Sequence, residues 1–198
     1  DEEKTQRGLC SLLCTLLSSV PPDAVIGHVE LEALQPLLIL MKAQRADPDL
    51  QSTACATLAS MSTGSTTTAK QLARVGTVKT LLLTMRAHLK LEEVNEHAIR
   101  TLRAISEASD GCRKLILEAH GVPMLAIAMK RHSLCVPLQR NGCAALAALC
   151  LRGAAGLAAV VKEKEGIEVL VAGMLLCARE KVSFDEAKDA LQAVADAE

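Results

Sequence analysis

The feature that most constrains the fold of this chain is an internal repeat of about 44 residues. Four segments of similar plan begin at Leu50, Val94, Leu138 and Ser183. Each has a leucine near its centre, and these leucines recur at spacings of 44, 44 and 45 residues: Leu58, Leu102, Leu146 and Leu191. A small residue precedes each leucine by four positions, and an apolar residue follows it by three. Residues at these spacings share one face of a helix, so the repeat predicts a recurring buried helix.

A second series with the same period runs between these segments. A leucine and a methionine four residues apart recur at Leu37/Met41, Leu81/Met85, Leu125/Met129 and Leu170/Met174. Residues four apart lie on one face of a helix. Two independent series in one register predict a repeated helical unit and an all-α fold.

Each unit is predicted to contain a short helix, a turn, a medium helix, a loop and a long helix. In the third unit these helices are expected at Cys112–Ala119, Val122–Arg131 and Pro137–Leu151. We expect one domain over residues 1–198, with a period of 44–46 residues and repeats at about 19–62, 63–108, 109–151 and 152–198.

Local signals mark several boundaries of these helices. Asp47 before Pro48 is typical of a helix start, with a capping side chain and a proline at the first position. Glycines precede three of the medium helices, and we expect each to take a positive φ in a sharp turn: Gly76, Gly121 and Gly166.

Two segments are harder to place. The run of Ser, Thr and Gly at residues 60–68 predicts a loop. A further long helix is predicted at Lys4–Ser18, in which either Leu12 or Leu13 could take the position of the buried leucine.

Composition restricts what such a chain could do. Half of its residues are hydrophobic, but Phe184 is the one aromatic residue, so the core must be built from Leu, Ala, Val, Met and Cys. The net charge of −1 lacks the basic excess typical of nucleic-acid binders. No apolar run reaches the roughly 18 residues of a membrane span, and no secretory signal is present. The chain begins at Asp1, which favours a segment of a longer protein.

Eight cysteines raise the question of a metal site or a set of disulfides. They contain no C-x-x-C pair and make no finger-like spacing with the five histidines. We interpret them as small apolar core residues, free thiols of a reduced, cytoplasmic protein. A structural metal site or a disulfide set is the alternative.

The three-helix unit resembles the armadillo repeat. The segment from Asn141 to Leu149 and the Gly-Val-Pro-Met-Leu run at 121–125 carry the most specific similarity, and the resemblance covers essentially the whole chain. HEAT repeats, with two helices in each unit, are the nearest alternative. The resemblance implies a right-handed α-solenoid of about four repeats whose long third helices line a concave groove. It also implies protein binding in that groove, without catalytic residues or cofactors.

The chain departs from the importin-alpha and beta-catenin branches of that family. In those branches an Asn two residues after the buried leucine holds an extended partner. Here these positions hold Ser60, Ala104, Ala148 and Ala193. In importin-alpha a Trp also lies two residues before the leucine, where this chain has Ala56, Arg100, Ala144 and Asp189. Capture of an extended peptide, as in nuclear import, is therefore not expected.

The function predicted from the sequence is a non-catalytic protein-interaction scaffold. No phosphate-binding loop, dinucleotide fingerprint, H-E-x-x-H or nucleophile elbow occurs. Two alternatives stay open: a homotypic assembly module, and an accessory segment of a larger kinase-like or other signalling protein. We predict protein partners, with no nucleic acid, membrane, metal or cofactor.

By the resemblance, eight residues are expected to face the groove: Glu96, His97, Arg100, Arg103, Arg140, Asn141, Asp185 and Asp189. They predict a basic middle and an acidic end, with Glu186 beside the last two. A solvated ridge is the alternative reading of the arginines. The partner expected from this pattern is a folded or helical protein with an acidic patch.

Overall fold

A computed structural model describes residues 2–18, 28–151, 158–160, 162 and 166–180 of the chain. This part contains ten α-helices of at least nine residues and no β-strand: α1 (Glu2–Ser18), α2 (His28–Ala43), α3 (Pro48–Ser62), α4 (Thr66–Arg74), α5 (Thr77–Ala87), α6 (Glu92–Ala108), α7 (Asp110–Glu118), α8 (Gly121–Arg131), α9 (Val136–Leu151) and α10 (Gly166–Arg179). The all-helical prediction is confirmed for these residues. Of the described helices, none is both long enough and apolar enough to span a bilayer.

The helix lengths follow the predicted plan. Helices α4, α5 and α6 have 9, 11 and 17 residues, and α7, α8 and α9 have 9, 11 and 16. The helices α7, α8 and α9 agree with the three predicted for this part of the chain to within two residues at each end.

Eight of the ten helices pack in two rows, and the short helices α4 and α7 pack against α6. In the first row, α1 packs on α3, α3 on α6, and α6 on α9. In the second row, α2 packs on α5, α5 on α8, and α8 on α10. The helices of the second row also pack against those of the first, as α5 does on α6 and α8 on α9. The core therefore lies between the rows.

The periodic leucines fill this core. Leu58, Leu102 and Leu146 of the first row have no exposed surface. The same is true of the second-row leucines, Leu37, Leu81, Leu125 and Leu170. The methionines of the second series are buried as well, except Met174, which is half-buried. Leu191 lies outside the described residues.

One of the three turn glycines has the predicted conformation. Gly76 has a φ of 87° and precedes α5. At the equivalent turn before α8 the left-handed residue is His120, with a φ of 57°, and Gly121 is already the first helical residue. The prediction of a positive φ at Gly121 is therefore wrong. A Cβ there would lie 2.9 Å from the carbonyl oxygen of Ile116, so the glycine permits a close approach of two chain segments.

The loop predicted at residues 60–68 is much shorter in the structure. Helix α3 continues to Ser62 and α4 begins at Thr66. The hydroxyl of Thr63 donates to the carbonyl of Ala59 over 2.7 Å, and Ser65 accepts a hydrogen bond from the backbone N–H of Thr68 over 3.2 Å. The Ser and Thr residues thus cap two helix ends instead of forming an open loop.

In helix α1 neither of the two leucines expected in the core, Leu12 or Leu13, is fully buried. Leu12 is exposed and Leu13 half-buried, whereas Cys10 and Cys14 are buried. Cys14 lies 44 positions before Leu58, so a cysteine takes the place of the periodic leucine in this helix.

Three buried amides with the repeat spacing join the two rows: Gln51, Asn95 and Gln139. Each donates from its side-chain nitrogen to two carbonyl groups at the end of the preceding second-row helix and its loop, over 2.7 to 3.0 Å. The last carbonyls of a helix have no partner within it, so these amides satisfy groups that burial would otherwise leave unpaired.

Two histidines link neighbouring units along the second row. The His88 Nε2 lies 2.6 Å from the carbonyl oxygen of Arg45, and the His132 Nε2 lies 2.9 Å from that of Leu89. Both histidines are buried and are 44 positions apart. They tie the ends of α5 and α8 to the preceding helix ends, which sets the spacing of the helices along the second row.

Candidate functional site

A basic groove lies on the first row, between α6, α9 and the α3–α4 turn. It encloses about 460 Å³. Its lining, which defines the basic groove below, is Ser62, Thr63, Gly64, Ser65, Thr66, Arg100, Arg103, Ala104, Glu107, Arg140 and Asn141. Three arginines face one glutamate in this lining, so the groove carries an excess of positive charge.

The helical spacing of α6 explains why its arginines meet here. Ile99, Leu102 and Ile105 are fully buried and turn one face of α6 to the core. Arg100 and Arg103 are three residues apart and therefore share the adjoining face. Arg140 and Asn141 reach the same groove from α9, which packs directly on α6.

Arg103 is the most firmly held of the three arginines. Its Nε donates to Glu107 Oε1 over 2.7 Å, one turn further along α6. Its Nη1 donates to Asn141 Oδ1 over 3.4 Å, which joins α6 to α9. This guanidinium is therefore oriented before any partner arrives, and such preorganisation lowers the entropic cost of binding.

Arg100 is held more loosely. Its Nη1 lies 3.9 Å from Glu96 Oε1, too far for a good hydrogen bond. Its Nε is buried and has no hydrogen-bond partner among the described residues. The side chain as a whole is 35% exposed, so its terminal nitrogens retain donor capacity toward an anionic group in the groove.

Glu96 and His97 lie beside the basic groove but do not line it. Glu96 Oε2 is 3.0 Å from His97 Nδ1, although that nitrogen does not have hydrogen-bond geometry with any partner in the described part of the chain. The adjacent His97 side chain has the largest effect in lowering the pKa of Glu96, and the charges of Arg100 and Arg140 lower it further. Glu96 therefore stays ionised near neutral pH and offsets part of the charge of Arg100.

The sequence-predicted site residues thus divide into three groups. The structure brings Arg100, Arg103, Arg140 and Asn141 together in one groove. It places Glu96 and His97 at the edge. Asp185 and Asp189, the predicted acidic end, lie outside the described residues.

Sequence reasoning missed the hydroxyl side of the basic groove. Ser62, Thr63, Ser65 and Thr66 line it because the α3–α4 turn ends beside α6. The sequence predicts an open loop for these residues, and that prediction does not bring them near the arginines. Glu107 was also missed, although its position four residues after Arg103 could have indicated the ion pair.

The surface differs toward the start of the first row. A depression of about 670 Å³ between α1 and α3 is lined by uncharged residues, mainly Ser and Thr, together with Cys14. The basic character is therefore concentrated at α6 and α9.

The cysteines contribute no metal site in the part of the chain that the structure describes. No group of three or more His, Cys, Asp or Glu side chains there could hold a metal ion. All eight cysteines are free, and all but Cys135 are buried. Burial raises the pKa of Cys55 and of Cys143 to about 12 each, which makes these thiols unreactive.

Cys14 differs from the other buried thiols. Its Sγ lies 3.9 Å from Cys10 Sγ, one turn earlier on α1. The hydrogen bond from Cys10 lowers the pKa of Cys14 to about 7, while the pKa of Cys10 is raised. Cys14 is therefore the thiol most readily ionised.

Comparisons with known proteins yield structural relatives alone. No family model and no curated protein matches the chain. An engineered protein solved by the Northeast Structural Genomics Consortium, target OR497, is similar over 97% of this chain, with 25% identity and a TM-score of 0.71. The similarity covers 51% of that protein, so the chain spans about half of its length. A second engineered protein, target OR366, matches with 18% identity and a TM-score of 0.46 over 98% of this chain and 92% of its own.

Proposed function

We propose that the two rows of helices form an α-solenoid of about four armadillo-like repeats. Three features support this proposal. The core leucines, the bridging amides and the linking histidines share a period of 44 residues. The helices follow a short–medium–long order, and the helices of each row pack one on the next. In a solenoid each unit contacts only its neighbours and presents the same face along a continuous surface. The first row would then line the concave side.

We infer that the chain is a non-catalytic protein-interaction scaffold, and that its basic groove binds a partner protein. The observation that carries this proposal is the convergence of Arg100, Arg103 and Arg140 in one groove. A guanidinium binds a carboxylate through two parallel hydrogen bonds and is weakly hydrated, so arginine is enriched at the energetic centres of interfaces.

The partner is proposed to be a folded or helical protein with an acidic patch. Glu107 already neutralises part of the charge of Arg103 and Glu96 part of that of Arg100, and the positive charge that is left is available to acidic groups of the partner. An extended peptide needs side-chain amides along the groove to satisfy its backbone. Here Ala104 lines the groove and Ala148 is buried, so those hydrogen bonds are not available at these positions.

A photo-crosslinking experiment tests this proposal. A photoreactive phenylalanine analogue replaces Ala104 inside the basic groove, and a matched chain carries it at Lys114, an exposed residue of α7. In cell extract, the chain labelled at position 104 is expected to give discrete protein adducts, and the Arg100→Glu/Arg103→Glu double variant is expected to lose them. The adducts should crosslink through a surface rich in Asp and Glu. Identical adducts at positions 104 and 114, or adducts that survive the double variant, would contradict the proposal.

A homotypic assembly module is the second candidate, because of one observation on α1. Leu9 and Leu12 are three residues apart on one face and are 52% and 63% exposed. An exposed apolar helix face at the start of a row offers a surface for stacking. Mass photometry or light scattering across a dilution series distinguishes the candidates: a dimer that Leu9→Ser/Leu12→Ser abolishes supports assembly, and a constant monomer excludes it.

A further inference from the structure

A second groove lies between α5 and α8 of the second row and shares no residue with the basic groove. It encloses about 710 Å³. The larger apolar side chains of its lining are Leu82, Leu83, Leu89, Pro123, Met124 and Ile127, and these six residues define the apolar groove. Leu82 lies on its floor, 9% exposed, while Leu83 and Ile127 are 41% and 45% exposed.

The exposed apolar residues of this surface repeat with the period of the fold. Ile39 on α2, Leu83 on α5 and Ile127 on α8 are each 44 positions apart, and Ile39 is 61% exposed. Each lies two residues after a fully buried leucine of the second row. Side chains two apart on a helix point in different directions, so these residues cannot reach the same core. They form an apolar stripe across three adjacent helices.

A parallel row of basic residues accompanies the apolar stripe. Lys42, Arg86 and Lys130 are exposed, also 44 positions apart, and each follows its stripe residue by three positions. Lys79 and Arg86 line the apolar groove itself. Neither of these two forms an ion pair within the described residues. Glu118, the acidic residue of the lining, lies 3.8 Å from Lys114 Nζ and is thereby partly neutralised.

We propose that this surface is a docking site for an amphipathic helix of a partner protein, one with an apolar face flanked on one side by acidic residues. Charge complementarity identifies this occupant: an acidic flank would meet the basic row, with Arg86 at its centre, while the apolar face fills the groove beside that row. Burial of apolar side chains supplies the affinity, and the flank sets the orientation.

The spacing of the helices fits this occupant. Packed helices lie about 8–10 Å apart, so the stripe residues of neighbouring second-row helices are separated by a similar distance. A partner helix advances about 1.5 Å per residue, and seven residues cover about 10 Å. Apolar residues seven positions apart on a helix that lies across the row therefore reach Ile39, Leu83 and Ile127 in succession. Acidic residues with the same seven-residue spacing reach the basic row.

The recessed floor of the apolar groove favours a helix over a membrane surface as its occupant. Leu82 is recessed in the floor of the apolar groove, and Met124 is half-buried. A flat bilayer surface would not reach the floor, whereas a ridge of helix side chains fills such a groove.

The test uses a designed, fluorescently labelled 21-residue helical peptide with leucines at seven-residue spacing and glutamates along one flank. Fluorescence anisotropy with the full chain is expected to show binding, and a matched peptide with lysines in place of the glutamates is expected to bind at least about tenfold more weakly. Leu83→Ser/Ile127→Ser should raise the Kd for the glutamate peptide about tenfold or more, and Arg86→Glu should raise it several-fold.

Four controls accompany this measurement. Leu134→Ser removes an equally apolar residue that is 83% exposed and lies outside the apolar groove, and it should leave the Kd unchanged. Arg100→Glu/Arg103→Glu should also leave it unchanged, because those residues belong to the basic groove. Circular dichroism checks that each variant keeps its helix content.

Vesicles of phosphatidylserine and phosphatidylcholine test whether the apolar groove binds a membrane surface instead of a helix. The proposal is overturned if the glutamate peptide does not bind, if both peptides bind equally, or if the variants of the apolar groove lose vesicle binding alone.

Discussion

The hydroxyl of Thr84 donates a hydrogen bond to Gln51 Oε1 over 3.0 Å, which joins α5 of the second row to α3 of the first. Both residues are buried, and Gln51 uses its nitrogen for two backbone carbonyls. The side chain of Gln51 is therefore fully satisfied. At the equivalent place in the next unit, Ala128 stands where Thr84 is, and Asn95 Oδ1 has no hydrogen-bond partner among the described residues.

Thr84→Val should therefore destabilise the chain, because it leaves Gln51 Oε1 buried and unpaired. We expect a loss of about 1–3 kcal/mol in the free energy of unfolding, measured by urea denaturation. Thr80→Val is the matched control, because Thr80 is buried too. Its hydroxyl donates to the carbonyl oxygen of Gly76, which also accepts a hydrogen bond from the backbone N–H of Thr80. Loss of the hydroxyl therefore leaves that carbonyl with a partner. Equal losses in the two variants would show that the bridge to Gln51 contributes nothing specific.

Leu102→Ala tests whether the periodic leucines hold the core. Leu102 is fully buried on α6, which packs against both α3 and α9. The lost transfer free energy and the residual cavity should cost about 2–5 kcal/mol. Leu134→Ala, at an exposed leucine, should change stability by less than about 0.5 kcal/mol in the same denaturation series. A loss below 1 kcal/mol at Leu102 would mean that the core is not formed as described.

Gly121→Ala and Gly142→Ala should differ in their effects on stability. A Cβ at Gly121 would meet Ile116 Cγ2 at 2.5 Å and the Ile116 carbonyl oxygen at 2.9 Å, and a backbone carbonyl cannot move aside cheaply. A Cβ at Gly142 would meet the Sδ and Cγ atoms of Met129, and a methionine side chain can adopt another rotamer. Overpacking at Gly121 should cost about 1–3 kcal/mol. At Gly142 the higher helix propensity of alanine offsets part of the cost. Thermal unfolding of both variants checks the order, and a more stable Gly121→Ala would contradict the observed packing.

Cys14 should react with iodoacetamide before the other buried cysteines. Its pKa, lowered to about 7 by the hydrogen bond from Cys10, lies below its usual range, so the reactive thiolate predominates above that pH. Peptide mass spectrometry after brief labelling should show that modification of Cys14 rises between pH 6 and 8. Cys55, whose pKa burial raises to about 12, should stay unmodified over this range. In Cys10→Ala the rise should shift to higher pH. A Cys14 profile that the substitution leaves unchanged would rule out the role of Cys10.

The sequence was sufficient to predict the helices and the core leucines because the period constrains many positions at once. It could not predict that Cys14 replaces the periodic leucine in α1, since Leu12 and Leu13 are more apolar and lie next to it. The sequence also does not show which of Leu81 and Leu83 is buried, because both are leucines. The packing of α5 against its neighbours buries Leu81 and leaves Leu83 exposed.

The basic groove was predicted in part for a similar reason. The spacing of Arg100 and Arg103 on one predicted helix indicated a shared face, and the repeat placed Arg140 on the next. The contribution of the α3–α4 turn depends on capping hydrogen bonds of Thr63 and Ser65, which shorten the turn and bring it beside α6. Side chains of Ser and Thr serve in caps and in open loops alike, so their presence did not settle the geometry.

Whether the basic groove binds the partner is tested most directly by the salt dependence of association with the Arg100→Glu/Arg103→Glu double variant. With a partner isolated through the photo-crosslink, stopped-flow measurements at increasing ionic strength give the association rate constant. We predict that the association rate constant of the wild type falls as the salt concentration rises. The double variant should associate at least about tenfold more slowly at low salt, and its rate constant should depend only weakly on salt. Circular dichroism should show that its helicity is unchanged. Association of the double variant at the wild-type rate, with the wild-type salt dependence, would show that the arginines of the basic groove are solvated surface residues and that partners bind elsewhere.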